Sequence, residues 1–209
     1  MKKTLLLTAT TAAVFCAPSF ANQNYVALEL GAGEYNMSGN LYDATKEHSK
    51  EIKETGLIAL KAGRYLNENV RVYGYLQANP GTEIDHTLNG HSIVKEKHDA
   101  AELGAGADYL HHITKQFYLL SGANLGIYRD EMEYSFGGGA VKEKDKNTGA
   151  VLGANLGMGY HFTERFSMEL GYRYSHYINN EHDFGEDGDK ATINFDSSHV
   201  GYLNASYAF

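Results

Sequence analysis

Three short segments of this chain repeat one pattern at nearly constant spacing. Leu66-Asn67-Glu68-Asn69-Val70, Ile113-Thr114-Lys115-Gln116-Phe117 and Phe162-Thr163-Glu164-Arg165-Phe166 each set three polar residues between two apolar ones. Their starts lie 47 and 49 residues apart. The last two copies continue in parallel, Ile113 to Gly122 matching Phe162 to Gly171, and Leu103-Gly104-Ala105 stands 49 residues before Leu152-Gly153-Ala154. A fixed period of this length means one supersecondary unit used repeatedly. The flanks identify the unit. Phe166, Met168, Leu170, Tyr172 and Tyr174 fall on one face of an extended chain, and Ser167, Glu169, Gly171, Arg173 and Ser175 on the other. Alternation with period two is a strand with unlike faces, so each unit is a hairpin.

A further step of similar length from Phe162 reaches the C-terminus, and one back from Leu66 falls near residue 22. Three short turns and two chain ends on one side leave four longer connections on the other. That arithmetic predicts eight strands, roughly 24–36, 54–66, 70–79, 96–110, 116–130, 147–162, 166–178 and 197–209. In the last strand Phe209, Tyr207, Ala205, Leu203 and Gly201 share a face, opposite Ser206, Asn204 and Tyr202. Leu152, Ala154, Leu156, Met158, Tyr160 and Phe162 continue the same division elsewhere. A soluble eight-stranded barrel of the lipocalin kind would carry a polar exterior. A continuous apolar exterior is costly in water and favourable in lipid. Aromatics near the strand ends, among them Tyr65, Tyr109, Tyr160 and Phe166, would form interfacial girdles, with tyrosine in place of the absent tryptophan. The expected fold is all-β: an eight-stranded antiparallel up-and-down transmembrane β-barrel. The near absence of proline agrees, since beyond the first 21 residues only Pro80 remains.

The N-terminus predicts export. Lys2 and Lys3 precede the apolar run Leu5 to Phe15, and Ser19-Phe20-Ala21 offers a small-x-small cleavage site. Residues 1–21 are expected to be a signal peptide cut between Ala21 and Asn22, leaving 22–209 as the barrel domain. Cys16 lies in the signal, and Phe15 before it argues against a lipoprotein site, so the mature chain would carry no disulfide. Without Lys2 and Lys3 the chain has 16 basic against 26 acidic residues, a net charge of −10. An acidic chain without clustered cations is not a nucleic-acid binder.

The same register turns Glu29, Lys61, Arg71, Glu102, Glu169 and Arg173 inward. Enclosed charges must pair or incur several kcal/mol each. An ion path and a catalytic acid pair are functional readings of these six residues; a structural charge network is the expected one, because an eight-stranded lumen is just wide enough for side chains to fill. Inner-face glycines (Gly63, Gly104, Gly106, Gly122, Gly157) would make room for Tyr73, Tyr75 and the long charged groups. Gly31-Ala32-Gly33 and Gly104-Ala105-Gly106 lack the third glycine and following helix of a nucleotide fingerprint. His111 and His112 are adjacent, face opposite ways in a strand, and cannot jointly hold a metal. The acidic stretch Glu181 to Asp189 lacks EF-hand spacing and reads as a solvated loop. No cofactor, metal site or catalytic set is expected.

Together the signal, the Leu-Gly-Ala strands, Gly171-Tyr172-Arg173-Tyr174 and the closing Tyr207-Ala208-Phe209 resemble the small outer-membrane β-barrel family that includes the OmpA transmembrane domain, OmpX, Ail and porin-family barrels. The resemblance implies a bacterial outer-membrane location. It also implies contact with outer-membrane lipid and lipopolysaccharide, and recognition of Tyr207 and Phe209 by the barrel assembly machinery. The family supplies no catalytic motif. Residues 173–179 vaguely resemble the lipid A deacylase region in which a serine follows a histidine by two positions, but Ile178 stands in that place. The leading expectation is a non-enzymatic, monomeric barrel presenting four external loops for envelope integrity or for a host or surface ligand. A narrow channel for small solutes is the alternative, and a lipid-modifying enzyme the third.

Overall fold

The computed structural model describes residues 23–39, 53–80, 83–88, 91–136, 141–184 and 191–209. The signal segment with Ala21 and Asn22 lies outside them, as do the glycines at 137–139. Ten strands are described: β1 (Asn24–Ser38), β2 (Glu54–Tyr65), β3 (Val70–Asn79), β4 (Glu83–Leu88), β5 (His91–His112), β6 (Phe117–Phe136), β7 (Val141–His161), β8 (Phe166–Ile178), β9 (Glu181–Phe184) and β10 (Ala191–Ala208). All pairings are antiparallel. The order β1-β2-β3-β5-β6-β7-β8-β10 closes through β1 on β10, from Tyr25 opposite Ala208 to Ser38 opposite Asn194. This is the eight-stranded barrel, with β4 and β9 as short additions to β5 and β10. Closure leaves the terminal strand no free edge.

The repeated pentapeptides are the short turns. Leu66 N–H donates to the Val70 carbonyl (2.8 Å), Ile113 to Phe117 (3.0 Å) and Phe162 to Phe166 (3.0 Å). In the two copies that share a threonine, Thr114 and Thr163 accept from the Phe117 and Phe166 amides, each at 2.9 Å. Thus the hydroxyl caps the turn while the apolar pair closes it.

Burial is inverted relative to a soluble sheet. Glu29 is 0% and Arg71 1% exposed, whereas Leu60, Leu125 and Leu156 are 63–64% exposed. Only a surrounding lipid phase makes such a leucine exterior favourable. Inside, Tyr75 lies over Gly104 and Tyr73 over Gly106, where an added Cβ would sit 2.6 and 2.5 Å from the rings. A bulge between Asn36 and Met37 inserts Asp196 into β10 and turns both Ser197 and Ser198 inward.

Strand lengths depart from the sequence-based expectation on one side only. The connections expected at 80–95, 131–146 and 179–196 are largely strand, because β5, β6 and β7 run on past the apolar band and pair with one another. There Glu131 faces Lys146 and Glu133 faces Lys144 across β6 and β7, with bridges of 2.9 and 2.6 Å. Such a ribbon is wet outside the barrel, so its charges replace the apolar stripe without ending the strand.

Candidate functional site: a filled lumen with two unlike mouths

Inward-facing residues form stacked layers. Nearest the short turns, Arg71 on β3 donates to both carboxylate oxygens of Glu169 on β8 (2.6 and 2.9 Å), and its Nε donates to Asp108 on β5 (2.9 Å). Neutral donors join the same two carboxylates. The Tyr118 hydroxyl donates to Glu169 (2.7 Å), Asn204 donates to it at 3.2 Å, and Asn155 donates to Asp108 at 3.0 Å. The Tyr25 ring lies 5.3 Å from the guanidinium carbon. In the next layer Glu29 on β1 bridges Lys61 on β2 and Arg173 on β8, and Arg173 also donates to Gln77 (2.9 Å). Lys61 lies 5.0 Å from the Tyr73 ring centre, and Tyr202 flanks both cations.

Five of the six charges expected inside therefore join two networks. The sixth, Glu102, is buried but stands apart: it accepts from the Tyr177 hydroxyl (3.1 Å) rather than from a cation. Asp108, absent from the expected set, is the fourth buried lumen acid and completes the Arg71 fork. Its position was available, since it lies six residues after Glu102 and so on the same face.

The outer mouth carries a packed apolar layer. Tyr35, Met37, Tyr128, Met132, Val151, Tyr177, Ile193 and Phe195 form a buried apolar cluster above Glu102. Over it lies a charged clasp that no sequence motif announced. His182 of β9 is 0% exposed and sits between Asp130 of β6 (2.9 Å) and Asp145 of β7 (2.7 Å). Burial opposes its imidazolium, but the two carboxylates outweigh that effect and the pKa is raised above the ordinary histidine value. Asn179 adopts a left-handed backbone (φ 61°) that aims its carbonyl at the Tyr128 hydroxyl (2.8 Å) and the Asn147 amide (2.6 Å). On the exposed ribbon, hydrogen bonds from Lys146 and Lys144 hold the Glu131 carboxyl down at about 2.

The inner mouth is open. A vestibule of about 1020 Å³ lies among the short turns, with Tyr65, His112, His161, Ser167 and Ser206 among its lining residues. The two serine hydroxyls bond each other at 2.7 Å. Hydrolytic arrangements fail on orientation. Ser175 and Ser198 are buried in the lumen while His176 and His199 face outward, and Ile178 is exposed on the wall. Among the described residues, no three His, Cys, Asp or Glu side chains converge to hold a metal. Tyr207 and Phe209 face lipid, and the Phe209 backbone exchanges hydrogen bonds with Asn24 to close the barrel.

Residues 7–209 match the model of the outer membrane protein beta-barrel domain family. The chain belongs to that family. Solved outer-membrane barrels share its architecture at low identity. Neisserial surface protein A superposes with a TM-score of 0.58 at 17% identity, covering 89% of this chain and 97% of that one. Ail, the attachment invasion locus protein of Yersinia pestis, gives 0.56 at 16% identity, covering 90% and 99%. OprG from Pseudomonas aeruginosa gives 0.53 at 14%, covering 90% and 96%. No curated protein matches the sequence. This outer-membrane barrel thus shares its fold with those proteins. At such identities the likeness carries the architecture alone.

Proposed function

We propose that this barrel is a non-enzymatic display platform: its lumen is a structural plug, and its activity resides in the ribbons and loops held above the outer leaflet. The observation that carries this reading is the packed outer mouth, where an apolar cluster and the Asp130–His182–Asp145 clasp lie over two buried charge networks. Extension of β5, β6 and β7 beyond the bilayer supports it, because those strands add surface without adding lumen. Contact with a host or surface ligand through this region is the specific form we favour, alongside a role in envelope integrity. Ail, one of the structural neighbours, has been solved with the heparin analogue sucrose octasulfate. Within the same proposal, the terminal Tyr207-Ala208-Phe209 is the element read during barrel assembly, and the folded protein acts as a monomer after cleavage at Ala21.

The test replaces residues 179–196 by a short glycine-rich turn in cells displaying the barrel. Heat-modifiable electrophoretic mobility should persist, while adhesion to host-cell monolayers and serum survival conferred by the parent should be lost. A loop-replaced barrel that confers both phenotypes in full would overturn the proposal.

A further inference from the structure

The 49-residue repeat that defines the hairpins also duplicates a histidine. His112 immediately precedes Ile113-Thr114-Lys115-Gln116-Phe117, and His161 immediately precedes Phe162-Thr163-Glu164-Arg165-Phe166. The barrel brings these equivalent positions together on either side of β6. Both rings face the vestibule, 5.9 Å apart between centroids and within 9° of parallel, with the Tyr118 ring 5.5 Å from one and 4.7 Å from the other. Adjacency excludes a His111–His112 pair; the fold instead pairs His112 with a residue 49 positions away. Neither imidazole has a hydrogen-bond partner among the described residues, and both stand at the vestibule.

We propose that His112 and His161 form a two-imidazole site for a borderline divalent transition ion, such as Zn²⁺ or Cu²⁺, at the periplasmic mouth. Imidazole nitrogen is the favoured ligand for these ions, with a metal–nitrogen distance of about 2.0–2.1 Å. That places each ring centroid about 3.2 Å from the metal, so two rings sharing an ion can stand up to about 6.4 Å apart. The observed 5.9 Å lies within that reach. The proposal requires each ring to turn out of this near-parallel arrangement, toward the open vestibule, so that the in-plane lone pairs converge on the ion. With no third protein ligand converging among the described residues, water completes the coordination.

The test uses the tag-free mature barrel folded in detergent micelles. Calorimetric titration with ZnCl₂ should reveal a saturable site that weakens at least about tenfold in His112→Ala and in His161→Ala. His111→Ala, on the outer wall, should leave it unchanged. Electron paramagnetic resonance with Cu²⁺ should give hyperfine structure from two nitrogens. On the unaltered protein, Cu²⁺ should selectively broaden the amide NMR signals of Tyr118, Ser167 and Ser206. Titration without binding, affinity that survives the double substitution, or broadening confined to His98 and His182 would each overturn the proposal.

Discussion

Replacing Arg71 by methionine removes the single cation that Glu169 and Asp108 share in the innermost layer. Arg71 is 1% exposed, and its three contacts to the two carboxylates range from 2.6 to 2.9 Å. Without it, two buried acids keep only neutral donors from Tyr118, Asn204 and Asn155. Breaking a buried ion pair from one side costs about 3–5 kcal/mol, because the surviving charge stays desolvated. With a urea slope of about 2 kcal/mol/M, the unfolding midpoint should fall by about 2 M. The companion variant Arg71→Met/Glu169→Gln/Asp108→Asn separates desolvation from shape. Gln and Asn keep acceptor oxygens for the neutral donors and carry no charge, so this variant should recover most of the lost stability. Folded fraction is read by heat-modifiable mobility and far-UV circular dichroism in lipid vesicles. A single variant within about 0.5 kcal/mol of the parent, the range of ordinary surface changes, would refute the reasoning. So would a triple variant no better than the single one.

Three further outcomes follow from the same geometry. Since the His182 pKa is raised, the clasp's contribution is fully present below the ordinary histidine value, about 6.5, and is lost as pH rises through the raised one. NMR titration should find His182 protonated to higher pH than an exposed histidine, and Asp130→Asn should lower its pKa; an unshifted value in both proteins would contradict the clasp. Gly122→Ala places a Cβ 2.0 Å from an Asp108 oxygen and 2.7 Å from the Ala107 carbonyl, and should destabilise by about 1–3 kcal/mol in urea melts; a neutral result would mean that Asp108 moves freely. Leu156→Arg, on the exposed wall, should cost about 2–4 kcal/mol in lipid vesicles, and a neutral outcome would argue against a lipid-facing position.

How much of this was legible in the sequence depended on whether a residue lay within the membrane. There, one face meets lipid and the other meets buried polar groups, so parity alone turns Leu125, Leu156 and Leu170 outward and Glu29, Arg71 and Arg173 inward. Above the bilayer the outward face meets water, while the inward face mixes apolar Met132, Ile193 and Phe195 with charged Asp130 and His182. Glu131, Glu133, Lys144 and Lys146 occupy outward positions that carry leucine lower down, and strand there is indistinguishable from loop by pattern. The His182 clasp was invisible for a different reason: its partners lie 37 and 52 residues away on other strands, with no motif linking them. Partner identity within the networks was equally out of reach. Register decides which face a charge occupies, whereas barrel closure decides whether Glu29 or Glu102 receives Arg173.

The central claim, that the lumen is a closed structural plug, is tested most directly by planar-bilayer recording on the purified barrel. The account predicts a quiet trace for the parent. Reproducible single-channel steps whose size changes on Glu29→Gln or Arg173→Met would contradict it and would move the function into the pore.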